Sequence, residues 1–402
     1  MLVSSTPKLS RFRLKPPLLT KKHSFRKQFA RRVLFCGLRK KLALPSADSK
    51  MVFKLIARTE CGIQNFYFYY SLSASLLRMS YSTPCAGATF GMIGSKKRRM
   101  IMKQGTTIIT LDNGYHLWTR TVGTGDIHLL CLHGGPGGTH EYWENFGDEL
   151  ADLGVQVSMY DQLGSFYSDQ PNYQDPEIAK KYLTYDYFLS EVEEVRQKLG
   201  LDNFYLIGQS WGGVLVQLYA AKYGQHLKGA IISSMVDEID DYVKHVNQCR
   251  LQTLGPDKVA YMQKIEATNQ LADPTYQSYV EQLNQEYVDR KQPEAIRHLV
   301  STMATDVYNV FQGDNEFVIT GKLKDWHFRE HLQEITVPTL LTFGEHETMP
   351  LETAKIMEAK IPHARLVTTP NGGHHHMIDN APVYFEHLKQ FISDVENGTF
   401  KD

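Results

Sequence analysis

The chain has 402 residues, 42% hydrophobic and 22% charged, with 44 Lys and Arg against 44 Asp and Glu. That length and composition suit a soluble globular protein with one large core, or a core plus a smaller domain. The neutral total hides a division, because residues 1–99 carry 21 basic side chains against only Asp48 and Glu60, leaving 23 basic and 42 acidic ones in 100–402.

Residues 1–99 lack the roughly 18 uninterrupted apolar residues of a membrane span and the compact apolar stretch of a secretory signal. Stretches such as "KKHSFRKQFARRVLF" are Arg- and Ser-rich and poor in acids, a composition shared by organellar transit peptides and nucleic-acid-binding arms. The expectation is a basic extension, disordered and without catalytic residues, with the working protein starting near Met100 or Met102. A cytoplasmic location follows, or an organellar one if the extension is a genuine transit peptide. Three of the five cysteines, Cys36, Cys61 and Cys85, fall in this segment. Cys131 and Cys249 remain, too few for a disulfide framework or a Cys-based metal site, which fits a reducing compartment.

From residue 105 the pattern becomes regular. "TTIITLDNGYHLWTRTV" predicts two strands joined at Asn113-Gly114, residue types that accept the positive φ angles of a tight hairpin turn. Short apolar runs follow: "IHLLCLHG", "VQVSMYD", "NFYLIGQS", "LKGAIISS", "VPTLLTFGE" and "ARLVTTPNGG". Such runs suit strands buried on both faces of a parallel sheet. Tyr185, Phe188, Leu189, Val192, Val195 and Leu199 recur at spacings of three and four, predicting an amphipathic helix. Strands alternating with helices indicate an α/β fold with a mostly parallel central sheet, whose ligand site lies at the carboxyl ends of the strands. Residues 236–332 interrupt the rhythm with an acid-rich helical stretch, too long for a loop and read as an inserted helical cap. The core is then 100–235 plus 333–402.

Within "FYLIGQSWGGVLV", a strand runs into Gly208-Gln209-Ser210-Trp211-Gly212 and a helix follows. This is the strand-turn-helix context of a nucleophile elbow, which holds a serine exposed above an α/β-hydrolase sheet. A serine hydroxyl needs a base, and the base needs an acid, in the chain order Ser, acid, His. "FGEHETMP" offers Glu345, His346 and Glu347 at the end of one late strand, and "NGGHHHM" offers His374, His375 and His376 after the next. The Gly-Gly pair permits a turn that aims His374 at Ser210, and His375 and His376 are then polar loop residues. Three adjacent histidines cannot converge on one ion from a regular element, so no metal is expected. "LHGGPGGTHEYW" supplies the third part. Backbone N–H groups of Gly135 and Trp211 would form an oxyanion hole, each donor contributing about 3 to 4 kcal/mol to the transition state. The loop lacks the G-K-[ST] ending of a phosphate cradle, and no nucleotide or other cofactor is expected.

Together "HGGPGG", "YDQLGS", "GQSWGG", "GEHE" and "GGHHHM" closely resemble the prolyl aminopeptidase (proline iminopeptidase) family of α/β hydrolases, over roughly residues 102–399. The resemblance implies Ser210 as nucleophile, His374 as base and Glu347 as the triad acid, where the family's usual residue is Asp; Glu345 is the alternative acid. It also implies that Glu316, in "GDNEFVITG", grips the free α-amino group of the substrate. The substrates implied are short peptides with a free N-terminus, cleaved preferentially after an N-terminal proline. A broad amidase or carboxylesterase is the alternative on the same triad. Nucleic-acid and membrane partners are not expected, and no feature of the sequence sets an oligomeric state. Two departures from the family pattern bear on the substrate pocket. Thr348 stands where some relatives have a second carboxylate, and Ser165 and Phe166 interrupt a glycine-rich stretch.

Overall fold

The computed structural model describes residues 104–401 in full and, before them, the backbone of two strands. The chain divides into two compact units, Met1–Arg99 and Met100–Asp402. In the first, β1 (Ser49–Thr59) pairs antiparallel with β2 (Gly62–Ser71). The remainder of the segment expected to be a disordered extension lies outside the described residues.

The second unit is built on an eight-stranded sheet. Its strands are β3 (Gly105–Thr110), β4 (His116–Val122), β5 (Ile127–Leu132), β6 (Val155–Tyr160), β7 (Phe204–Gln209), β8 (Leu227–Ser233), β9 (Thr339–Gly344) and β10 (Ala364–Thr369). The spatial order is β10-β9-β8-β7-β5-β6-β4-β3, parallel from β10 to β6, with β4 and β3 added antiparallel at one edge. Every residue of β6, β7 and β9 is buried, the consequence of helices on both faces, and this is why these strands read as largely apolar runs that carry no charge. Side chains alternate between the two faces along each strand: Phe204 and Leu206 of β7 join one core cluster, Tyr205 and Ile207 the other.

The β3–β4 turn differs from its expected form. Only Gly114 has a positive φ, 94°, and Asn113 instead accepts the Tyr115 N–H on its side-chain oxygen at 3.0 Å. With five residues between the strands, this local side-chain bond replaces the tight two-residue turn.

Helices α1 (Phe146–Glu149), α2 (Pro176–Tyr182), α3 (Tyr185–Leu199) and α4 (Trp211–Tyr223) follow in turn. The predicted helix is α3. Thr184 caps it by accepting the Tyr187 N–H, and Gly200 ends it at φ 68°. Between β8 and β9 run α5 (Ile239–Leu254), α6 (Pro256–Ala267), α7 (Pro274–Tyr287), α8 (Glu294–Ser301) and α9 (Thr305–Phe311). Apolar residues of α5, α6, α7 and α9, among them Val246, Met262, Tyr276 and Leu283, continue the core cluster that covers one face of the sheet, while Ile296 and Leu299 of α8 join the other. The chain closes with α10 (Leu351–Lys360), α11 (His376–Asp379) and α12 (Ala381–Asn397). Among the described residues no helix is long and apolar enough to cross a membrane.

Candidate active site

The segments that leave the carboxyl ends of β5, β7, β9 and β10 carry Gly135, Ser210, Trp211, Glu347 and His374, and the loop after β6 carries Ser165 and Phe166. Ser210 sits between β7 and α4 with φ 54° and ψ −121°, a conformation costly for a residue with a Cβ. The turn is this tight because two glycines admit it. A Cβ on Gly208 would lie 2.1 Å from the Gly212 carbonyl oxygen, and one on Gly212 would lie 2.2 Å from that of Leu132. The Ser210 N–H donates to Ser233 O (2.9 Å), and its carbonyl accepts from Gly213 N–H (2.7 Å).

The loop after β5 approaches this corner from one side. A Cβ on Gly134 would come within 3.2 Å of Ser210 Cβ. The Gly134 N–H donates to the Tyr142 hydroxyl and is thereby occupied. Among the described residues, the N–H groups of Gly135 and Trp211 have no hydrogen-bond acceptor, as an oxyanion hole requires. Gln162, which the sequence reading did not single out, joins the two sides of the hole. Its amide accepts from the Trp211 indole (2.9 Å) and donates to His133 O (3.1 Å), while its own N–H donates to His133 Nε2 (2.9 Å).

His374 Nδ1 lies 3.3 Å from Glu347 Oε2, and the other carboxyl oxygen accepts the Gly344 N–H at 2.5 Å. Glu345 points elsewhere: it is exposed and accepts the Asn371 N–H (2.9 Å). Of the two candidate acids, Glu347 is thus the one against the imidazole. Burial raises its pKa well above the usual carboxylate range, opposed by the Gly344 N–H bond. Burial, with the neighbouring His375 and His376, holds His374 well below the usual imidazole range. His374 Nε2 is buried and makes no hydrogen bond, so it is not bonded to the Ser210 hydroxyl. Such contacts often tighten only once substrate is bound. The turn holds His374 through its main chain, since Gln209 Nε2 donates to His374 O at 2.5 Å and Ser233 Oγ fixes Gln209 (2.6 Å).

His375 and His376 are not loop polar groups but buried ones. His375 Nδ1 meets Asp289 Oδ1 at 2.8 Å, and His376 is held by Thr369 (2.8 Å) and Ser233 (3.2 Å). With the chain turning into α11 at this point, the three rings face three different partners. Among the described residues no group of His, Cys, Asp and Glu could hold a metal ion.

Glu316 follows α9 and reaches the same place from above. Its Oε1 accepts from Tyr242 Oη (2.8 Å) and Thr348 Oγ1 (3.2 Å) and stands 3.9 Å from His374 Nε2. Burial pushes its pKa up to about 7. Tyr242 was invisible as a site residue, although its spacing marks the buried face of α5. Phe166 is half exposed and, with Tyr173, Met303 and Asp306, lines a cavity of 460 Å³ beside the Gly135 loop.

A family model described as the alpha/beta hydrolase fold matches residues 127–381. A proline iminopeptidase of Flavobacterium johnsoniae is 34% identical over 289 residues, covering 70% of this chain and 95% of that protein. One of Elizabethkingia meningoseptica is also 34% identical, over 73% of this chain and 99% of its own length. Among solved structures, a proline iminopeptidase of Mycobacterium smegmatis superimposes with a TM-score of 0.67 over 73% of this chain and 99% of that one, at 24% identity.

Proposed function

Since the chain belongs to the proline iminopeptidase family of α/β hydrolases, we propose that it is a serine aminopeptidase that releases an N-terminal residue, preferentially proline, from short peptides. The observation that carries this reading is the placement of Glu316, a buried carboxyl 3.9 Å from His374 Nε2. A substrate ammonium held there leaves room for only one residue between the free amine and the bond under attack. The carboxylate attracts a cation and rejects chains without one, since an acylated amine would leave it buried and unpaired.

In the proposed reaction His374 Nε2 takes the Ser210 proton, and Oγ attacks the carbonyl carbon of the first residue. The N–H groups of Gly135 and Trp211 receive the oxyanion. Glu347 acts here in its ionised form, which the imidazolium that develops beside it favours against the effect of burial: it accepts from Nδ1–H, which keeps Nε2 free as a base. The C–N bond breaks as His374 returns the proton to the leaving amine. Water, deprotonated by the same imidazole, then cleaves the acyl-serine ester.

The test is hydrolysis of aminoacyl arylamides with Pro, Ala, Leu and Phe, each free and N-acetylated, by residues 100–402. Preference for free Pro supports the proposal. Cleavage indifferent to acetylation, or ester turnover alone, overturns it in favour of an amidase or carboxylesterase.

A further inference from the structure

Between α7 and α8, residues 287–291 run along the loop that carries the base. The His374 N–H donates to Tyr287 O (2.8 Å) and the His375 N–H to Val288 O (3.3 Å). Asp379 ties the two segments again, accepting the Lys291 N–H (3.0 Å) on one oxygen and the Gly373 N–H (2.8 Å) on the other. The approach is so close that a Cβ on Gly373 would stand 2.9 Å from Tyr287 O. At the centre, His375 Nδ1 and Asp289 Oδ1 are 2.8 Å apart, with side chains only 11% and 10% exposed. The residue next to the base is therefore anchored in the helical segment above the sheet and not in the sheet itself.

We propose that Asp289 is a positioning residue for the hydrolysis: by holding His375 it fixes the loop that aims His374, so the base is aligned only while residues 287–291 are seated. The proposal rests on the reading of His374 as base. A buried charged pair gives one ring orientation at the loop's midpoint, and a misplacement of about 1 Å at a reacting group costs on the order of a hundredfold in rate.

The pair also acts electrically. His375 faces Asp289 from the segment above, Asp379 from α11, which in turn meets Arg290 and the Lys291 N–H, Glu316 from beyond α9, the Tyr142 ring at 5.7 Å, and its neighbours His374 and His376. Burial disfavours its charge, but the Asp289 hydrogen bond and the carboxylates prevail and hold it above its ordinary pKa. Whenever His375 carries its proton, its ring, 5.6 Å from that of His374, opposes protonation of the base. Without Asp289 that opposition weakens, and the base is lost to protonation at higher pH.

The experiment compares Asp289→Asn, Asp289→Ala and His374→Ala with the parent full chain, counting active serines by fluorophosphonate titration. For Asp289→Ala, kcat per titrated serine should fall about 10- to 100-fold with KM within about threefold. In Asp289→Asn, which keeps the hydrogen bond, the loss should be smaller, while the acid limb of the fluorophosphonate labelling rate, which needs no amine and so is independent of Glu316, moves up by about half a unit or more. Parent values of kcat per serine and of the acid limb in both variants would overturn the proposal, even if the variants melt earlier. Should Asp289→Ala not fold, the limb of Asp289→Asn decides alone. Undiminished activity of His374→Ala would instead refute the assignment of the base.

Discussion

Replacing Glu316 by Gln separates recognition of the amine from chemistry at the serine. Gln is nearly isosteric and can still accept from Tyr242 Oη and Thr348 Oγ1, the two groups that hold Glu316 Oε1. What disappears is the negative charge beside His374. A hydrogen bond to a charged group is worth about 1.5 to 3 kcal/mol, and about 1.4 kcal/mol is a factor of ten. The expected loss in kcat/KM for a free prolyl arylamide is therefore about 10- to 100-fold, carried mainly by KM. Labelling of Ser210 by a fluorophosphonate, which has no amine, should keep its parent rate. The pH profile supplies a second sign. With a pKa pushed up to about 7, Glu316 is neutral in mild acid and ionised above neutrality. Its contribution to kcat/KM should vanish as pH falls through about 7, and the Gln variant should lack that limb. Equal losses on amine-bearing and amine-free reagents, or an unchanged limb near 7, would refute Glu316 as the anchor.

Glu347→Gln should lower kcat by about three to four orders of magnitude, since an amide that donates to Nδ1 stabilises the wrong imidazole tautomer; stopped-flow acylation measures it. Gly212→Ala should destabilise the chain by at least about 2 kcal/mol in urea melts, because its Cβ would strike the Leu132 carbonyl. Glu191 of α3 is buried beneath the loop after β6, accepts the Leu163 N–H, and has a pKa pushed up to about 8 by burial. The unfolded chain ionises this group near its ordinary value while the folded chain retains the proton, so stability should fall as pH rises towards about 8. Glu191→Gln should remove that loss, with urea melts of the two proteins diverging between pH 5 and pH 9.

Continuous apolar runs identify β5 to β9 because helices cover both faces of the sheet, and the sequence already states that burial. The elbow was legible for a related reason. Gly208 answers a contact with Gly212 four residues on, so for it cause and effect lie within the motif, whereas Gly212 itself is demanded by the distant Leu132 carbonyl. Glu347 and His374 came from order along the chain, together with a family resemblance. Neither local pattern nor order could reveal Gln162, Tyr242 or Asp289, whose partners lie 49, 74 and 86 residues away. Asn113 shows the limit at short range: its side-chain bond to Tyr115 competes with the turn its identity suggests. His375 and His376 look alike as letters in a loop. Their difference, one held by Asp289 and the other by Thr369 and Ser233, depends on which elements fold over them.

The insertion after β8 therefore reaches the core in two chemically different ways. Glu316 presents a carboxyl to the space above Nε2, where an ammonium would bind, while the segment around Asp289 grips the loop that holds the imidazole. If the insertion only shielded the site from water, weakening it would speed entry of large substrates and leave the intrinsic rate at the serine intact. In the arrangement found here, lifting residues 287–291 also removes the main-chain acceptor of the His374 N–H. If His374 is the base proposed above, widening the entrance and disabling that base are the same movement, and short substrates that bind without displacing the segment should be favoured. Dipeptide and decapeptide substrates with the same first residue should thus differ mainly in kcat, and a difference confined to KM would count against that coupling.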